Sequence, residues 1–169
     1  MSFAESYVGK VRAKWGQDEL LMPGVCALIF NTEGKLLLGY RKDHKAWCHM
    51  GGSPELGEDA ETCLRREIEE EFGLTDIGEI EPIALVSEHK ATYREYPGGD
   101  KFASWTILCV LRHIDASAID APEPDDEEHD KLAWFDMNDL PADEDLFVET
   151  RYSLQAWQRY QETKKFVLC

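Results

Sequence analysis

From Glu58 to Phe72 the chain reads as one helix with two unlike faces. Ala60, Cys63, Leu64 and Ile68 recur at spacings of three and four, the repeat that lines side chains along one side of an α-helix. Glu67, Glu70 and Glu71 share the opposite side. Gly73 stands where a glycine in the left-handed conformation ends a helix. Such a helix must lie on an apolar layer, and the apolar runs available are strand-sized. They are Val25 to Phe30, Lys35 to Tyr40, Ile83 to Ser87, Phe102 to Ile114 and Leu132 to Phe135. Asn31-Thr-Glu-Gly34 reads as the turn of a hairpin joining the first two. A closing helix is expected over 147–164, where Val148, Tyr152, Ala156 and Tyr160 stand four apart. A shorter amphipathic stretch surrounds Tyr7, Val8, Val11 and Trp15. Residues 42–57, with Gly51, Gly52, Pro54 and Gly57, read as loop, as does the acidic stretch 115–130. Helices and strands interleave, which predicts an α/β fold with a helix-covered sheet. No repeat or linker divides the 169 residues, so one domain is expected.

Charge narrows the function. Lys and Arg number 18 against 34 Asp and Glu, a net charge of −16. Such a surface repels phosphate backbones and anionic membranes, so no DNA or RNA track and no membrane docking is expected. A phosphate-bearing substrate would need a counter-charge, and a divalent metal is the obvious source. The longest strong apolar run, Trp105 to Leu111, is far short of the roughly 20 residues a membrane helix needs. Residues 1–7 lack the basic and apolar regions of a secretory signal. Cys26, Cys48, Cys63, Cys109 and Cys169 are odd in number and form no C-x-x-C pair, so reduced thiols and a cytoplasmic location are expected.

Glu67, Glu70 and Glu71 crowded on one helix face repel one another. Either water solvates them, as on any glutamate-rich surface helix, or a cation holds them. Carboxylate ligation suits Mg²⁺ or Mn²⁺ rather than zinc. Glu58 sits near the helix start, where the dipole favours an acid, and Arg66 can orient a neighbouring carboxylate. The spacing then adds what composition cannot. Gly52, Glu58, Arg66, Glu67, Ile68, Glu70, Glu71, Gly73 and Leu74 fill every specified position of G-x5-E-x7-R-E-U-x-E-E-x-G-U, where U is bulky aliphatic. The segment thereby resembles the Nudix hydrolase signature.

The resemblance implies a Nudix-type α/β/α sandwich with a mixed β-sheet, spanning 1–169 as a single domain. It implies that Glu67, Glu70 and Glu71 bind the divalent cations, that Glu58 joins them directly or through water, and that Gly52 lets the backbone approach the metal. Arg66 would orient these acids. The reaction implied is hydrolysis of a nucleoside diphosphate linked to another moiety. The similarity continues in Leu36-Leu-Leu-Gly-Tyr-Arg41, a strand whose Arg41 would face the phosphates, and in Trp47-Cys-His-Met-Gly51-Gly52. Met50 stands where the family usually has proline. Leu132-Ala-Trp134-Phe135 and Asp139-Leu140-Pro141 look like the family's late strand and turn. The family includes many dimers, so a homodimer is one expected state.

The substrate is less determined. The run Asp125-Asp-Glu-Glu128-His129 precedes the last strand, where the family often places a base or a further ligand. Glu127, Glu128 and His129 are the candidates, against a plain solvated acidic surface. A histidine in that acidic run resembles the GDP-mannose-hydrolysing branch. Its signature is degenerate and it attacks the sugar carbon, whereas the intact signature here implies attack at phosphorus. A nucleotide sugar such as ADP-ribose or GDP-mannose is therefore the leading expectation. A nucleoside triphosphate or oxidised-nucleotide pyrophosphatase is the alternative, and a nucleotide-sugar-binding sensor the non-enzyme one. Tyr93 and Tyr96, beside the Tyr96-Pro-Gly-Gly-Asp100 turn, could stack on a base or sugar, or simply line a hairpin. Arg94 and Lys101, rare basic residues near that turn, could meet a phosphate, but each reads first as a solvated side chain. His44, Cys48, His49 and Cys63 lack paired zinc-ligand spacing.

Overall fold

The computed structural model describes residues 4–96, 98–119 and 129–169, with the side chains of residues 118, 129 and 130 left aside. In chain order the elements are α1 (Tyr7–Trp15), β1 (Leu20–Asn31), β2 (Leu36–Arg41), β3 (Ala46–Cys48), β4 (Met50–Gly52), α2 (Ala60–Phe72), β5 (Glu81–Val86), α3 (His89–Thr92), β6 (Arg94–Glu95), β7 (Lys101–Ile114), β8 (His129–Phe135), α4 (Val148–Thr163) and β9 (Val167–Leu168). The main path of the sheet runs β3-β2-β1-β7-β5-β9, with β4 on β1, β6 on β7 and β8 on β2. β1 and β7 are parallel from Leu20↔Phe102 to Asn31↔Ile114, and β5 and β9 are parallel too. The other pairs are antiparallel, so the sheet is mixed.

β1 organises the molecule. From Val25 to Asn31 it is buried without a break, as expected for a strand covered on both faces. Val25, Ala27 and Ile29 pack with Leu64, Ile68 and Phe72 of α2. Cys26, Leu28 and Phe30 pack on the other side with Ala156 and Trp157 of α4. The alternation of strand side chains thus builds the two cores of an α/β/α sandwich.

Several boundaries differ from the sequence reading, each for a local reason. α2 begins at Ala60 because Asp59 caps it, its carboxylate accepting the Thr62 N–H at 2.8 Å. Ala60, expected on the apolar face, is exposed because it stands in the first turn, and Phe72 is buried with Cys63, Leu64 and Ile68 instead. Gly73 ends the helix at φ 65, as its position predicts. β1 starts at Leu20, five residues before the apolar run that opens at Val25. The stretch expected as loop contains β3 and β4, short strands that pair with β2 and β1. Among the described residues no helix is long and apolar enough to cross a membrane. All five cysteines are free.

Candidate active site

Arg66 is the hub of the acidic face. Its Nε donates to Glu58 Oε1 at 2.7 Å and its Nη2 to Glu58 Oε2 at 3.0 Å. Its Nη1 lies 3.0 Å from both Glu67 Oε1 and Glu70 Oε2. The side chains of Glu58 and Glu67 are largely withdrawn from solvent, whereas that of Glu70 is 62% exposed. The Arg66 hydrogen bonds hold the Glu58 carboxyl below its ordinary range, and the same bonds raise Arg66. The backbone N–H of Glu55 also donates to Glu58 Oε2, at 2.8 Å. Glu55 in turn accepts the Tyr7 N–H at 2.8 and 3.1 Å, which ties α1 to the loop before α2.

Gly52 explains how this face meets the sheet. It pairs with Val25 across β1 and β4. A Cβ there would lie 2.1 Å from Glu67 Oε1, so only glycine lets the backbone come this close to that carboxylate. The donors are hard oxygens, and Glu67 lies against open backbone, which fits a hard divalent cation. Arg66 presently draws Glu58, Glu67 and Glu70 towards itself. Among the described residues no three acidic, histidine or cysteine side chains already converge on a metal geometry.

A cavity of about 620 Å³ opens beside Gly52 and Glu67. Arg41, at the end of β2, reaches it while paired with Asp43 at 2.9 and 3.1 Å. His44, Tyr96, Phe102 and Phe147 supply aromatic wall. The His44 ring sits 4.6 Å from that of Phe147 and 6.1 Å from that of Tyr96. α1 contributes Val8 and its N-cap Ser6. It is anchored by Arg12, which stacks 4.1 Å over Phe102 and pairs with Asp100 at 3.5 Å.

Not every expected residue reaches this cavity. Tyr93 lies outside its lining, stacked on His89 at 5.0 Å with its hydroxyl 3.4 Å from Glu95. Glu127 and Glu128 lie outside the described residues. His129 opens β8 with its backbone opposite Arg41. Arg94 is not the solvated side chain its surroundings in sequence suggest. It is withdrawn into the cavity wall and paired with Glu149 of α4. Nothing in the spacing marks Glu149, which reads as an ordinary acid in the first turn of a helix.

This geometry agrees with what the comparisons find. The NUDIX domain model matches residues 20–157. The chain belongs to the Nudix hydrolase family. Nucleoside triphosphatase NudI of Escherichia coli O139:H28 is 32% identical over 136 residues, covering 78% of this chain and 92% of that protein. A MutT Nudix hydrolase from Burkholderia pseudomallei is similar in structure, with a TM-score of 0.61 and 27% identity, covering 81% of this chain and 98% of that one. An ADP-ribose pyrophosphatase from Streptococcus suis shares the fold at TM-score 0.56 and 20% identity, covering 87% of this chain and 96% of that one. This Nudix hydrolase therefore presents its signature as Gly52 on β4, Glu58 before α2, and Arg66, Glu67, Glu70 and Glu71 along α2.

Proposed function

We propose that this Nudix hydrolase is a Mg²⁺- or Mn²⁺-dependent pyrophosphohydrolase of small nucleotides, with residues 1–169 forming one domain around the site. The observation that carries the reading is the Gly52–Glu67 approach at the mouth of an aromatic and arginine-lined cavity. The carboxylates of Glu67, Glu70 and Glu71, with Glu58, would hold the cation. What a bound cation supplies there is a coordinated water of lowered pKa and a counter-charge for the phosphates. Arg66 orients Glu58, Glu67 and Glu70 through its contacts with all three acids. Arg41 offers a guanidinium to a phosphate, and the His44, Tyr96 and Phe147 rings offer faces to a planar group.

For the substrate, the 32% identity to a nucleoside triphosphatase favours nucleoside triphosphates, cleaved to a monophosphate and pyrophosphate. A nucleotide sugar such as ADP-ribose or GDP-mannose is the second reading. It rests on the Glu127-Glu128-His129 run entering β8, which is set against the Arg41 end of β2. Both readings place Glu128 or His129 as base. Replacing Glu70 or Glu71 by glutamine tests the reading. Turnover should fall at least about a hundredfold, as for lost metal-assisted catalysis, with the fold retained. Full activity in either variant would remove these roles. If His129 is the base, His129→Gln should lower turnover by about a hundredfold or more, the scale of general-base catalysis, and an unchanged rate removes it from the mechanism.

A further inference from the structure

One wall of the cavity is built in a way that neither metal binding nor phosphate binding needs. Arg94, on the two-residue strand β6, and Glu149, in the first turn of α4, form an ion pair that lines it. Their side chains keep only 21% and 7% of their exposure. Burying such a pair is costly, and apolar residues of the same volume generally serve stability as well or better. The pair is nevertheless held firmly in place. Directly after Glu149, Thr150 Oγ1 accepts the His49 N–H at 3.1 Å and lies 2.9 Å from His49 Nδ1. The His49 Nε2 and Ser153 Oγ are 3.2 Å apart, so one imidazole fixes the first turn of α4 to the approach to Gly52.

The surroundings say what such a wall would recognise. The Phe147 ring lies 5.3 Å from the Arg94 guanidinium and 4.6 Å from His44. Flat apolar faces therefore stand next to a donor and an acceptor. A guanidinium has five N–H groups and a carboxylate several lone pairs, so one ion pair leaves capacity on both. Glu149 also offsets the charge of Arg94, which makes this wall a poor seat for a phosphate. A nucleobase has the complementary form, with an apolar face and an edge that sets an acceptor beside a donor.

We propose that the Arg94–Glu149 pair reads the hydrogen-bonding edge of the substrate's nucleobase while the rings of His44, Tyr96 and Phe147 pack against its face. The pair is then the specificity determinant of this enzyme. The inference rests on the reading that the cavity takes a nucleotide, and the test separates the two. Binding of AMP, GMP, CMP, UMP and ribose 5-phosphate is measured by calorimetry in EDTA, where no turnover occurs. The wild-type protein should prefer one nucleobase by about tenfold or more, the scale of one lost buried hydrogen bond. Glu149→Gln and Arg94→Lys should level that preference and leave the weak ribose 5-phosphate affinity unchanged. Where a single variant fails to fold, as judged by its melting curve, the paired Arg94→Met and Glu149→Leu substitution removes both charges together and should give the same levelling. A preference that survives these substitutions overturns the inference. So does a uniform loss that includes ribose 5-phosphate, or no preference in the wild type. Hydrolysis of the matching triphosphates and nucleoside diphosphate sugars in Mg²⁺ is assayed in parallel. If no nucleotide is hydrolysed while the monophosphates bind selectively, the catalytic reading fails and the base-reading wall stands.

Discussion

Gly52 and Glu67 touch so closely that a methyl group on the glycine would overlap the carboxylate, with Oε1 at 2.1 Å and Cδ at 2.2 Å. The neighbour is the far end of a flexible side chain, which can swing aside. Gly52→Ala should therefore fold, with its melting temperature within about 3 °C of wild type, and should lose at least about tenfold in turnover because Glu67 is displaced. A variant with full turnover would show that this approach has no part in catalysis.

Gly51 gives the opposite outcome one residue earlier. A Cβ there would meet Val25 O at 2.4 Å and Cys26 Cα at 2.6 Å. These are backbone atoms of the central strand and cannot swing aside. Gly51→Ala should cost about 3 kcal/mol, the upper range for overpacking, or roughly 6–12 °C in melting temperature for a chain of this size. Differential scanning calorimetry of both alanine variants checks the contrast.

Glu58 and Arg66 set a pH dependence. The carboxyl of Glu58 is held below its ordinary value, first by the Arg66 hydrogen bond. A depressed folded pKa adds stability above the unfolded value, and that stability is lost as the pH falls through the folded value. The stability difference between wild type and Glu58→Gln should be largest near neutrality and shrink below about pH 4.5. Urea titrations at pH 7 and pH 3 measure it, and a difference that grows on acidification would contradict the pairing.

His49 adds a second slope at higher pH. Desolvation, with the Arg94 charge nearby, lowers its pKa to about 3. The unfolded chain takes up a proton near pH 6.5 that the folded chain refuses, so stability falls as the pH drops below that value. Relative to His49→Gln, the wild type should lose about 2 kcal/mol between pH 7 and pH 5. Denaturant midpoints at those two values test this.

The sequence was most legible where chemistry and periodicity coincide. The two faces of α2, its end at Gly73 and the order of the long strands follow from apolar spacing. Of the acids gathered by Arg66, Glu70 follows from helical spacing, whereas Glu58 lies before the helix and Glu67 is adjacent in sequence. Short strands were not legible, because β3 and β4 owe their form to pairing with β2 and β1 rather than to their own composition. Arg94 and Glu149 lie 55 positions apart, and only the packing of α4 on the sheet, against β3, β5 and β9, brings them together. Tyr93 and Tyr96 look alike in sequence. β6 and the turn after it send Tyr96 to the cavity, while Tyr93 stacks on His89.

The most direct measurement is product analysis in ¹⁸O-water. Nucleoside triphosphates, oxidised triphosphates and nucleoside diphosphate sugars would be incubated with the protein in Mg²⁺, in Mn²⁺ and in EDTA. Metal-dependent release of a nucleoside monophosphate and pyrophosphate from triphosphates, with ¹⁸O on phosphorus, is the predicted result. Release of two monophosphates from nucleotide sugars instead, one of them carrying the ¹⁸O, would keep the catalytic site and change the substrate. No hydrolysis with either metal, or hydrolysis undiminished in EDTA, would contradict catalysis by the carboxylates of α2.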